Sequence, residues 1–160
     1  MKASDFTRWT AWPDRADVQH GELPGVYILA RTKEHLAGRR FGWVEDIVYI
    51  RMTNAKGGLR SRLRQFDDTI AGKRVTHGGA DRVRFEYRHY GRLIPNLYVA
   101  VTPVECDVES LAPWDLLRMG DVAKLEYECL AAYVRRFGRL PRFNDKPYAK
   151  KYSLTVGREK

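Results

Sequence analysis

One long helical pattern, from about Asp115 to Phe137, constrains this chain more than any other stretch, because it ends on its own stop signals, Gly138 and Pro141. Projected on a helical wheel from Val122, the side chains of Leu125, Cys129, Leu130, Tyr133 and Phe137 gather into one apolar stripe. Glu126 falls in the middle of that stripe, whereas Glu128 falls on the polar side. A carboxylate that faces a core is costly unless it is paired, protonated or bound to a cation. Glu126 therefore has two readings: a buried salt bridge, or a ligand for Mg²⁺ or Mn²⁺, hard cations that often take only one or two protein carboxylates.

The elements before that helix are shorter. Val26 to Ala30 reads as a strand entered through Pro24-Gly25, and Ile47 to Met52 as a second. Gly57-Gly58 then breaks the chain before Leu59, Leu63, Phe66 and Ile70, which repeat at amphipathic-helix spacing. From Arg82 to Tyr90 the residues Val83, Phe85, Tyr87 and His89 alternate with Arg84, Glu86 and Arg88, which predicts a half-buried strand. Leu97 to Val104 predicts another. Strands and helices mix without a regular βαβ rhythm, so the expected class is α+β with a small, mostly antiparallel sheet. With no repeat, low-complexity tract or linker, one domain is expected over residues 1–160. Residues 1–23, with Phe6, Trp9 and Trp12, form an arm or cap, and 146–160 a basic tail.

Apolar residues at 44% and aromatics at 12% exclude disorder as a description of the whole. No apolar run approaches a membrane span, and Met1-Lys2-Ala3-Ser4-Asp5 has no hydrophobic signal core, so a soluble, cytoplasmic protein with no membrane partner is expected. Cys106 and Cys129 stand far apart, and His20, His35, His77 and His89 show no metal-ligand spacing, which argues against zinc. The net charge of +9 is unevenly spread. Residues 51–92 hold eleven Lys/Arg against four Asp/Glu, and residues 135–160 hold nine against two. Residues 93–134 hold two against seven. Two basic blocks are the footprint of a polyanion partner, the plainer alternative being a solvated basic surface.

Strand alternation puts Tyr27 and Leu29 on one face, opposite Val26, Ile28 and Ala30, and groups Tyr49 with Ile47 and Arg51. Two tyrosines on adjacent strands can be simply a cross-strand aromatic pair. Arg62 lies at the border of its helix's buried face, with Arg60 and Arg64 further out. That arrangement suits either a salt-bridging helix arginine or a catalytic guanidinium flanked by two phosphate contacts.

The order Gly25-Val26-Tyr27, Val48-Tyr49-Ile50, Leu59-Arg60-Ser61-Arg62, Leu125-Glu126 with Leu130, and Pro141-Arg142-Phe143-Asn144 resembles the GIY-YIG nuclease superfamily over about residues 24 to 145. The resemblance implies a sandwich with a central antiparallel sheet of about three strands flanked by helices. It also implies hydrolysis of a nucleic-acid phosphodiester with one divalent metal, Mg²⁺ or Mn²⁺. DNA is the expected partner, with RNA left open. By position, Tyr27 matches the phenol that deprotonates or aligns the water, and Tyr49 a second phenol in the site. Arg62 matches the arginine that stabilises the pentavalent phosphate, Glu126 the metal ligand, and Asn144 a supporting asparagine. Two positions depart from the pattern. Arg51 stands where the family has glycine, and projects on the face of Tyr49. Phe66 stands where His or Tyr is common, and has no proton to exchange. His77, in His77-Gly78-Gly79, is the candidate to supply a replacement polar group, and Arg51, Arg60, Arg64, His77 and Asn144 are the expected nucleic-acid contacts. The expectation is a metal-dependent endonuclease, with a nucleic-acid-binding module of reduced activity as the alternative.

Overall fold

In the computed structural model, which describes residues 5–156, a four-stranded antiparallel sheet runs in the order β1-β4-β2-β3. These strands are β1 (Thr10–Ala11), β2 (Gly25–Arg31), β3 (Ile47–Thr53) and β4 (Leu97–Pro103). The predicted α+β class is observed. β2 lies between β4 and β3 and is buried on both faces. Tyr27 and Leu29 point into one core with Leu59, Leu63 and Phe66, and Val26, Ile28 and Ala30 into the other with Cys129 and Tyr133. The helices α1 (Gly58–Ile70) and α2 (Gly78–Glu86) contribute to the first core, and α4 (Pro113–Phe137) to the second. Short α3 (Tyr90–Leu93) leads into β4, and α5 (Tyr152–Thr155) closes the described chain. None of the described helices is long and apolar enough to cross a membrane.

The break at Gly57-Gly58 is where α1 starts. Gly58 has φ 63°, and a Cβ there would sit 2.2 Å from the Glu22 carbonyl oxygen, so the approach of the chain to residues 21–23 requires glycine. At the other end of the chain, α4 stops as expected, with Gly138 left-handed at φ 71° and its N–H bonded to Val134 O. The arm is a working part of the domain. Phe6 and Trp9 pack in the α4-side core and Trp12 in the other, while β1 pairs with β4. Buried Asp67 of α1 anchors that arm, accepting hydrogen bonds from Trp12 Nε1 and Tyr90 Oη at 2.8 Å each and pairing with Arg15 at 2.7 Å.

Two expectations need correction. The predicted strand at Arg82 to Tyr90 is helix α2 followed by an irregular segment. Ala80 and Val83 are buried and Tyr87 packs beside them, a helical i, i+3, i+7 face, whereas His89 of the alternating set is exposed. The N-cap decides the matter locally: the His77 side chain accepts the Ala80 N–H. In β3, the register passes from Leu29↔Tyr49 to Ala30↔Ile47 and skips Val48. This bulge turns Ile47 into the core opposite Tyr49, so the two do not share a face. The 146–160 tail, over its described part, is docked: Asp81 of α2 accepts from Ser153 Oγ at 2.5 Å and from its N–H at 3.2 Å.

Candidate functional site

β3 is an edge strand, and its outward N–H and C=O groups need partners. They find them in side chains and loop backbone from distant parts of the sequence. Phe143 N–H donates to Val48 O at 3.0 Å. Asn144 spends its whole amide on one residue: Nδ2 donates to Ile50 O at 2.7 Å and Oδ1 accepts from Ile50 N–H at 2.9 Å. Glu126 continues the row, its Oε2 accepting from Met52 N–H at 3.0 Å. The predicted inward carboxylate is thus 5% exposed and caps the sheet edge, while Glu128 is exposed and lies 3.7 Å from Lys124.

Against this edge lies a cavity of about 390 Å³, walled in part by Tyr49, Arg51, Arg62, Arg82, Glu126 and Asn144. Lys146 and Lys151 of the tail complete it. Both basic blocks of the sequence therefore feed one concavity, with five cations around one carboxylate. Among the described residues, Arg51 is the one of these five with an ion-pair partner: its Nη1 lies 2.8 Å from Glu126 Oε1. Arg62 Nη1 donates to Gln65 Oε1 at 2.8 Å, and Arg82 is oriented by Gly78 O and Ala149 O.

Tyr27 is fully buried and forms no wall of the cavity; it meets Tyr49 and His77, which do. Burial raises its phenol well above the ordinary value, the Tyr49 phenol adds to this, and Arg62 and Arg51 offset part of it. Burial likewise raises Tyr49, partly offset by Arg51 and Arg62. Both phenols are therefore proton donors at neutral pH, and the expected role of Tyr27 as a base touching water does not match its placement. Asn144, expected among nucleic-acid contacts, is instead a positioning residue. Arg60 and Arg64 are not brought to this cavity: they line a separate concavity with Arg15, Lys56 and Ser61, and Arg60 Nε donates to Ala16 O at 2.9 Å.

His77 is the residue whose part the sequence showed least clearly. It is 2% exposed, so it is no nucleic-acid contact, and its ring packs on Phe66 at 5.0 Å between centroids. Its Nδ1 accepts the Ala80 N–H at 3.2 Å, and its Nε2 lies 2.7 Å from Tyr27 Oη. A nitrogen that accepts a backbone N–H carries no proton, so the neutral ring carries its proton on Nε2 and donates it to Tyr27. Burial, with a smaller contribution from Arg62, lowers the His77 pKa to about 3, which keeps the ring neutral. A polar ring from outside α1 thus lies against Phe66 and bonds the Tyr27 phenol. Gly79 is required beside it, since a Cβ there would lie 2.3 Å from Tyr49 Oη.

A divalent ion on Glu126 does not fit this donor set. Oε1 is held by a guanidinium and Oε2 by a strand N–H. Comparison of the chain with protein-family models, with curated proteins and with solved structures gives no significant match.

Proposed function

We propose that this cavity is a GIY-YIG-type endonuclease site that binds the DNA backbone and hydrolyses a phosphodiester bond. The observation that carries the reading is convergence: Tyr49, Arg62, Glu126 and Asn144, from four separate segments, meet at one cationic cavity, with Tyr27 directly behind it. The order of those residues is the order of the family's motifs, and the cavity's charge suits a phosphate. In this arrangement Arg62, Arg82, Lys146 and Lys151 hold the scissile phosphate and offset the charge that develops on its oxygens. Tyr49, protonated and on the wall, donates to one of those oxygens. Asn144 and the Tyr27–His77 pair fix the strand and ring that carry it.

One observation favours a second reading, a DNA-binding module that keeps the fold without turnover: Glu126 is occupied by Arg51, and burial holds the Tyr49 phenol of the cavity wall in its protonated form. Supercoiled plasmid incubated with the purified protein, in Mg²⁺, in Mn²⁺ and in chelator, separates the two. Nicked or linear product that disappears in Arg62→Ala is expected. Intact plasmid in all three conditions, with retained binding, leaves the second reading.

A further inference from the structure

Arg51 lies within the motif segments, yet its side chain in the cavity is one that the motif order does not account for. It sits on β3 directly opposite Tyr27, at the exposed end of the Glu126 pair, with 45% of its side chain exposed against 7% for Glu126. One edge of its guanidinium is spent on Oε1. A guanidinium has five N–H donors, so the remaining edge is available to a second acceptor. The carboxylate is itself immobilised by Met52 N–H, which means that the arginine is aimed by a rigid partner. A buried carboxylate with no cation would be costly, and here the cation is supplied by the chain.

We propose that Arg51 is the built-in cation of this site: held on Glu126, it presents its free N–H donors to a phosphate oxygen of a nucleic-acid backbone, so that a phosphodiester binds with no divalent ion. Glu126 is then a positioning residue acting through Arg51. The proposal rests on the reading of the cavity as a nucleic-acid site, but not on cleavage. A protein that binds duplex without cutting it removes the nuclease and leaves this inference standing. One that needs a divalent ion to bind does the reverse.

The experiment is fluorescence anisotropy of a labelled DNA duplex with the full chain at constant ionic strength, with Mg²⁺ and with chelator. Wild-type affinity is expected to be undiminished in chelator. Arg51→Gln, measured in chelator, is expected to bind about tenfold more weakly, the loss of one charge-assisted pair. Glu126→Gln makes the sharper comparison. Removing a negative charge from a cationic cavity should strengthen binding on charge count alone, whereas loss of the group that aims Arg51 weakens it; in the Arg51→Gln background only the charge effect is left, so Glu126→Gln no longer weakens binding. Loss of wild-type binding in chelator, unchanged affinity in Arg51→Gln, or tighter binding by Glu126→Gln would each overturn the proposal. Should Arg51→Gln fail to fold, Arg51→Lys gives the same comparison, because it keeps the charge and removes the fork; wild-type affinity there overturns the proposal and weaker binding supports it.

Discussion

At His77 one imidazole starts a helix with Nδ1 and holds the Tyr27 phenol with Nε2. Protonation would break the first bond, since Nδ1 would become a donor facing a donor, and would place a charge in the core. The folded pKa of about 3 lies below the ordinary 6.5, so this ring binds a proton more readily when unfolded. Its contribution to stability is complete above pH 6.5 and is lost as pH falls toward 3, at about 1.4 kcal/mol per pH unit within that window. His77→Asn keeps a capping acceptor but has nothing to titrate. Urea unfolding across the window should show the variant less stable at neutral pH and with a shallower acid slope than wild type. Parallel acid slopes would contradict the buried neutral ring. Nitrogen-15 spectra at neutral pH should place the ring proton on Nε2.

Helix α2 depends on what lies on either side of it. Gly79→Ala would push a methyl into the Tyr49 ring, and the displaced phenol belongs to the cavity wall. Overpacking of this kind costs about 1–3 kcal/mol, and duplex affinity should fall with it; unchanged stability and binding would show that the contact yields freely. On the neighbouring helix α1, Asp67→Ala strands three donors of the arm and of Tyr90, and should cost about 2–4 kcal/mol in urea unfolding, as expected for a buried acceptor shared by several partners. The elements legible in the sequence were those whose pattern is local and long: α1 and α4 by period, and β2 and β4 by apolar runs between turn signals. β1 was not, because a pair of residues has no period and its strand identity comes from Thr10↔Val99 pairing across the domain. α2 failed for a different reason. Its nine residues carry a helical face of small side chains, Gly79, Ala80 and Val83, too weak to outweigh an accidental alternation further on. Glu126 was legible as inward, but its partner was not, since the wheel of one helix says nothing about which strand edge it meets.

Charge is where the whole molecule acts as a unit. The basic blocks lie far apart in the sequence, yet Lys146 and Lys151 join Arg51, Arg62 and Arg82 because Ser153 fastens the tail to Asp81. A polyanion centred on this cavity releases about one counterion for each phosphate neutralised, so log affinity should fall steeply and linearly with log salt. Lys146→Ala and Lys151→Ala should each flatten that slope by about one unit if each contacts a phosphate. Both side chains are at least partly exposed and neither is ion-paired among the described residues, so the folded state should be little affected. Arg60→Ala makes the contrast, because Arg60 lines the other concavity and is tied to Ala16 O; its slope should match wild type. Anisotropy titrations of one duplex over a range of salt give all four slopes. A slope unmoved by the two lysines and flattened by Arg60→Ala would place the backbone on the α1 side and separate the polyanion surface from the cavity of Tyr49.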